Sequence, residues 1–529
     1  MHRLCLALLV AAVTLPARAD DAALKAALAT LRAAKTDDER TKAIDGVTAL
    51  GLAPDALAQA LAAAPLAASG TYFNVEAGWQ IMRVDGSDGV NRPWHLYVPA
   101  SYAPGTPHGV LFQLHGGVSQ PDVPDEERLT GMHDTWEREA AGLKVLIAIP
   151  TADDDSEWWD PVGMGNILSI LGAIKAAYDI DPNRVHLSGF SDGASGSLHF
   201  ALHHATPFAS FVALSGHIAV SQASGKPVYL HNLLGKSLYV VNGGKDQLYP
   251  ADTVAPFVQA MKQAGANVTN QVHPDAGHDP GYLAVEMPRL VEYLKATVRA
   301  PHPERLAFET IEPGPAARNH WIVVDKLGFP LEQSDLPDIN LLVPPKLQLG
   351  IGVDQAFAGP GVKITGAADG TAAQRAGLRK DDVLTRADGR EIANLEALRA
   401  VLATKKWDDT IDLVIQRGTE KVELKATFTK GLPRNAFDRK GSPGRVEAHR
   451  EGQRITVRTR GVLAFTLLLG VGAFEVGKPI ELVVNGKAPE TITPTFDARL
   501  MLDRYAQDQD RAMLYWGAIA KNLASASGD

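Results

Sequence analysis

A serine set between glycines, Gly189-Phe190-Ser191-Asp192-Gly193, follows the apolar stretch 185–187 and leads straight into a helix-like stretch beginning at Ala194. Strand, sharp turn and helix in that order expose a serine hydroxyl at the end of a sheet, on a strained backbone that only small neighbours clear. The helix N-terminus beneath it favours negative charge developing on a ligand. A serine hydroxyl is a weak nucleophile at neutral pH, so it needs a base within hydrogen-bond reach and a third group to orient that base. Asp246, in Asn242-Gly243-Gly244-Lys245-Asp246, comes directly after the apolar stretch 238–241. His278, in Asp275-Ala276-Gly277-His278-Asp279, precedes the last helical stretch of the same region.

Serine, then aspartate, then histidine is the chain order of the α/β-hydrolases, different from those of the chymotrypsin and subtilisin folds. His273 competes with His278, and Asp275 and Asp279 compete with Asp246. Gly277 lets a loop present the His278 ring, whereas His273 is free to face solvent. The place of Asp246 just past a strand favours it, which leaves the other two aspartates for turns and caps. The oxyanion formed on attack needs two backbone donors, each worth about 3 kcal/mol of barrier. Asp192 N–H is one candidate, and Gly117 of His115-Gly116-Gly117 is the other, with Gly116 in reserve. Trp158 and Trp159 are read equally as a wall for an aromatic or sugar group and as core. His199 and His203 stand at i, i+4 on a helix, yet no carboxylate completes a metal-binding pattern. This chemistry calls for no metal and no organic cofactor.

These residues require a scaffold that brings distant loops to one edge. Between residues 94 and 299 the sequence supplies it as aliphatic runs at 94–98, 110–114, 145–149, 185–187, 211–214 and 238–241. Helical stretches at 166–178, 194–204, 253–264 and 285–298 alternate with them. The alternation predicts an α/β fold, a mainly parallel sheet with helices on both faces and active residues on loops at the carboxyl ends of its strands. Residues 21–64 are Ala- and Leu-rich with helix spacing, a packing or spacer segment of two or three short helices.

After Pro301-His302-Pro303 come short alternating strands, 305–309 and 320–325, with a comparable set at 453–459, 464–469 and 480–484 before the tight-turn pair Asn485-Gly486. Neither set makes a stable sheet alone, so one small β-domain, 301–344 and 431–495, is expected to be split by an insertion at 345–430. From 496 the spacing of Leu500, Leu502, Tyr505, Met513, Trp516 and Ile519 predicts a closing helix and tail to 529.

Two resemblances add to this reading. Within the insertion, Leu349-Gly350-Ile351-Gly352-Val353, Ala376-Gly377-Leu378, Asp381-Asp382-Val383-Leu384 and Asp388-Gly389 together resemble a bacterial PDZ domain. That likeness implies a peptide-binding loop, in which the N–H groups of Gly350, Ile351 and Gly352 take a C-terminal carboxylate while the peptide adds as a strand. Tyr97-Val98-Pro99, Leu114-His115-Gly116-Gly117, Gly189-Phe190-Ser191-Asp192-Gly193, Gly244-Lys245-Asp246 and Gly277-His278 resemble the polyhydroxybutyrate depolymerase and feruloyl esterase group over roughly 75–300, within an expected hydrolase domain at 69–300. The resemblance implies an α/β-hydrolase serine esterase acting on acyl-polysaccharide, feruloyl or polyester-like esters. Two rivals share these features: a serine peptidase of the prolyl-oligopeptidase type, and a catalytically silent binding protein that recruits a partner through its PDZ domain.

The chain has 529 residues, room for two to four domains at roughly 150 each. Its 52 basic against 61 acidic residues and the lack of a basic block argue against nucleic acid as a partner. Residues 1–19 combine His2 and Arg3, an apolar run from 4 to 15 and Ala17-Arg18-Ala19 before Asp20, the anatomy of a cleaved secretory signal. That run is shorter than the ~20 residues that span a bilayer, and no later segment is long enough. The sole cysteine, Cys5, lies inside it, so the reading is an exported protein, periplasmic or secreted, without disulfides.

Overall fold

In the computed structural model, residues 21–34, 36–63, 76–121, 129–345, 347–354, 357–437, 439 and 441–524 are described. The expected signal segment 1–19 lies outside them. Residues 340–436 form one compact unit, and the described residues on either side of them form another.

The larger unit is built on an eight-stranded sheet: β1 (Gly78–Asp85), β2 (Asn91–Val98), β3 (His108–Leu114), β4 (Val145–Pro150), β5 (Ile180–Phe190), β6 (Ser210–Leu214), β7 (Ser237–Gly243) and β8 (Asn267–His273). Their order is β1-β2-β4-β3-β5-β6-β7-β8. β1 and β2 run antiparallel, and every pair from β4 to β8 is parallel. Every residue of β3, β4 and β6 is buried, as a strand covered on both faces requires. The helices Pro161–Ala177, Asp192–His203, Ala251–Gln263 and Leu283–Ala296 supply the cover. The fold is therefore the α/β-hydrolase type. β1 and β8 have no aliphatic run to announce them; β8 is an edge strand, Asn-Val-Thr-Asn-Gln-Val-His, whose positions are all partly buried or exposed.

The flanking sequences on both sides of the smaller unit assemble together. A four-stranded sheet joins Arg318–Asn319, Ile322–Leu327, Val462–Gly470 and Tyr515–Asn522, and a five-stranded sheet joins Glu490–Ile492, Ile480–Val484, Arg454–Arg460, Gly444–Glu451 and Arg305–Thr310. One core unites them, including Leu306, Ile322, Val446, Ile455, Phe465, Leu482 and Trp516. Leu28 and Leu31, Ile44 and Val47, and Leu57 and Leu61 from the three N-terminal helices enter this same core, so that segment packs on the β-domain.

The closing segment differs from the expected helix. Helix Ala498–Asp508 ends at Gln509, whose φ of 46° is left-handed, and the chain then turns into the strand Tyr515–Asn522. Buried Gly517 and Ile519 alternate there with exposed Ala518 and Ala520. The three-residue spacing of Met513, Trp516 and Ile519 imitates a helix only because Trp516 is buried as well.

The smaller unit contains a sheet ordered Ile351–Val353, Val362–Ala367, Val383–Ala387, Thr410–Arg417 and Glu420–Thr427, with helices Ala372–Ala376 and Leu395–Leu402. Where the chain enters and leaves it, Leu342–Val343 pairs with Arg434–Asn435.

Candidate active site

Three strand ends converge on Ser191. The residue sits between β5 and helix Asp192–His203 with φ 58° and ψ −119°, a strained conformation for a side-chain-bearing residue. Ser191 N–H donates to Leu214 O of β6 at 3.0 Å, and its own carbonyl accepts Ser195 N–H at 3.0 Å, which ties the turn to sheet and helix. The glycines are steric necessities: a methyl at Gly189 would lie 2.2 Å from the Gly193 carbonyl, and one at Gly193 would lie 2.3 Å from the Leu114 carbonyl oxygen.

His278, on the loop after β8, places Nε2 2.9 Å from Ser191 Oγ and Nδ1 2.9 Å from Asp246 Oδ2. A carboxylate only accepts, so Nδ1 carries the ring proton and Nε2 presents its lone pair to the serine hydroxyl. The other oxygen of the buried Asp246 accepts Leu248 and Tyr249 N–H, each at 2.8 Å, which fixes the carboxylate behind the ring. Phe190 and Tyr249 border the imidazole, with ring centroids 5.2 and 5.7 Å away. Burial, with Asp192 and Asp246 nearby, pushes the Tyr249 phenol up to about 12, so it stays protonated. This tyrosine carried no motif in the sequence; its place two residues before the helix Ala251–Gln263 gave no sign that it would stand beside the histidine.

The competing residues have other partners. His273 Nε2 bonds Glu286 Oε2 at 2.7 Å, and Glu286, which is wholly buried, also accepts Tyr239 OH. His273 therefore does not simply face solvent, and the pairing ties the end of β8 to helix Leu283–Ala296. Asp275 pairs with Lys245 at 2.7 Å, and Asp279 caps the short turn Pro280–Tyr282 by accepting Gly281 N–H.

Two expectations are corrected. Gly117 N–H does not point to an open oxyanion position: it donates to Asp192 Oδ2 at 2.9 Å, and Val118 N–H donates to the same oxygen at 3.1 Å. Gly116 lies against the serine, since a methyl there would lie 2.8 Å from Ser191 Cβ. Nor is the tryptophan pair a substrate wall, because Trp158 is 0% and Trp159 2% exposed. Trp158 Nε1 donates to His115 O at 2.9 Å, and its Cβ side packs where Gly196 leaves room, so it braces the loop that carries Gly116. His115 Nε2 accepts Ala152 N–H at 3.1 Å from the other side. His199 and His203 stack on each other, bond Ser221 and Pro227, and are held well below the usual histidine range by burial. Among the described residues no group of three potential metal ligands exists.

Residues 166–298 match the phospholipase/carboxylesterase family of α/β-hydrolases, and residues 346–427 match the PDZ domain family. The chain joins a carboxylesterase-family domain to a PDZ domain. A curated relative, the bifunctional acetylxylan esterase/xylanase XynS20E of Neocallimastix patriciarum, is 28% identical over 158 residues, 29% of this chain and 22% of that protein. A probable CtpA-like serine protease of Staphylococcus aureus is 24% identical over 204 residues, 34% of this chain and 40% of the protease. The chain thus spans less than half the length of either. Among solved structures, a ferulic acid esterase superposes with a TM-score of 0.34 at 18% identity, covering 42% of this chain and 98% of that one. In the PDZ domain, Gly350 has φ 84° with Thr371 filling the space a Cβ would need, and Ile351–Val353 is an edge strand with one neighbour in the sheet.

Proposed function

We propose that this protein is an exported serine esterase that hydrolyses carboxylic esters through Ser191, His278 and Asp246. The observation that carries the reading is the unbroken chain from Ser191 Oγ through the imidazole to Asp246, both links 2.9 Å long. His278 Nε2 takes the hydroxyl proton as Oγ bonds to the ester carbonyl carbon, and the resulting imidazolium is stabilised by Asp246. The oxyanion lies at the N-terminus of helix Asp192–His203, where Asp192 N–H is one donor and the Gly116 segment, against the serine, the other. His278 returns the proton to the leaving alcohol, and water repeats the sequence on the acyl-enzyme to release the acid. Metal and organic cofactors take no part in these steps.

The substrates proposed are acyl-polysaccharide, feruloyl or polyester-like esters, a reading supported by the acetylxylan esterase among the relatives. The PDZ domain is proposed to take a peptide or protein C-terminus at Gly350, Ile351 and Gly352. Export rests on residues 1–19, and no helix among the described residues is long and apolar enough to cross a membrane. Parallel assays on 4-nitrophenyl acetate, acetylated xylan, feruloylated oligosaccharide, polyester and chromogenic peptides test the reading. Ester cleavage with the peptides left intact is expected; peptide cleavage without ester cleavage would overturn it.

A further inference from the structure

The carboxylate next to the nucleophile has an unusual occupation. Asp192 Oδ2 accepts two consecutive backbone N–H groups, Gly117 at 2.9 Å and Val118 at 3.1 Å, from a loop 74 or more residues away in sequence. Gly117 has φ 69°, the left-handed conformation that turns successive N–H groups toward one anion. Such a nest ordinarily receives a phosphate or carboxylate from outside; here it is filled from within the chain. The same loop brings Gly116 against Ser191, and its far side is already held by Trp158 Nε1 on His115 O and by Ala152 N–H on His115 Nε2. Charge-assisted bonds donated to a carboxylate are stronger than those donated to a neutral acceptor, so Asp192 is the strongest of these ties. It also leaves a fixed negative charge one residue from the reacting serine.

The geometry points to Asp192 as the positioning residue that clamps the Gly116–Val118 loop over Ser191 and sets the site against acyl groups that carry a carboxylate. The clamp keeps the loop donor at the distance the oxyanion needs without spending substrate binding on ordering it. The fixed charge repels an anionic acyl chain, which discriminates by charge where shape alone would not. This inference rests on the esterase reading, and the two fail separately: a wild-type protein inactive on every ester sinks that reading, whereas the variants below bear on Asp192 alone.

Asp192→Asn, Asp192→Ala and Asp192→Ser are compared with wild type on 4-nitrophenyl butyrate and on its near-isosteric anion, 4-nitrophenyl hemisuccinate, at low salt, with folding followed by thermal unfolding. The alanine variant is expected to lose about 10²-fold in kcat on butyrate with KM within about 3-fold, the cost of one misplaced oxyanion donor. The serine variant serves in its place if alanine does not fold. The asparagine variant, whose amide oxygen still accepts both N–H groups, should recover at least about 10-fold of the kcat on butyrate that the alanine variant loses. Its kcat/KM for hemisuccinate relative to butyrate should rise about 10-fold because the like charge is gone. Full kcat in the alanine or serine variant, or an asparagine variant as slow as they are, would overturn the clamp. An unchanged hemisuccinate-to-butyrate ratio in the asparagine variant would overturn the charge selection.

Discussion

His278→Ala is expected to lower kcat on 4-nitrophenyl acetate by about 10⁴- to 10⁶-fold while leaving the thermal midpoint close to that of wild type. The large catalytic effect follows from geometry: Nε2 is the base 2.9 Å from Ser191 Oγ. His273 is five residues upstream but committed to the buried Glu286. The small effect on stability follows from the position of the ring, which is partly exposed on a loop and bonded to Asp246 and the serine but not part of the core. Asp246 would lose its imidazole partner yet keep two backbone donors, Leu248 and Tyr249 N–H. Steady-state rates and a melting curve on the same preparation check both halves. A loss of less than about 10²-fold would mean that the imidazole is not the base.

Asp510→Ala should produce the largest loss of stability, about 3–5 kcal/mol, because it strips the partner from a buried cation. Asp510 is 1% exposed and takes the Arg299 guanidinium on both oxygens, at 2.7 and 3.0 Å. It also accepts Ala512 and Met513 N–H at 3.1 Å, shaping the turn that carries the chain from helix Ala498–Asp508 into strand Tyr515–Asn522. Arg299 follows helix Leu283–Ala296, and Asp510 leads into strand Tyr515–Asn522 of the four-stranded sheet, so this pair ties the segment after that helix to the turn that enters the strand. Burial alone would raise the Asp510 carboxyl; Arg299 and then Lys175 outweigh it and hold the group at about 2. Lys175, 3.8 Å away, is itself pushed down by burial, so Arg299 is the principal partner.

The sign for Asp510 is that of a depressed carboxylate: its contribution is complete above the unfolded value near 4 and disappears as pH falls toward 2. A shift of that size corresponds to roughly 2–3 kcal/mol. Urea unfolding at pH 7 and at pH 3 should show wild type losing part of its margin at the lower pH, with the gap to Asp510→Ala narrowing. A gap that is constant between the two would remove the ion pair from the account of stability.

What could be read from the residues and what could not has a physical pattern. Ser191 and Asp246 could be singled out because each follows an aliphatic run with a glycine two residues before it, and His278 because Gly277 precedes it ahead of a helical stretch, signals local enough to survive without coordinates. The aliphatic central strands were legible for the same reason. β8 and strand Gly444–Glu451 were not, since an edge strand and one that buries Arg445 among carboxylates leave no apolar run to read. Direction was the harder loss. Periodicity does not reveal that the Trp158 indole points into the core to hold His115, or that the Asp192 carboxylate folds back to occupy Gly117 N–H. Both facts depend on contacts between segments tens of residues apart. The closing strand Tyr515–Asn522 was lost for a different reason: a strand buried at Tyr515, Trp516 and Gly517 in succession carries no clean alternation.

The central claim is that one hydroxyl, made nucleophilic by the imidazole beside it, forms a covalent bond with the acyl group. Reacting the full chain with a fluorophosphonate and mapping the adduct by peptide mass spectrometry tests it most directly. A single adduct is expected on the peptide carrying Ser191, absent from Ser191→Ala, with ester hydrolysis falling in proportion to labelling. An unlabelled wild-type protein, or a Ser191→Ala variant that still hydrolyses esters at the wild-type rate, would contradict it.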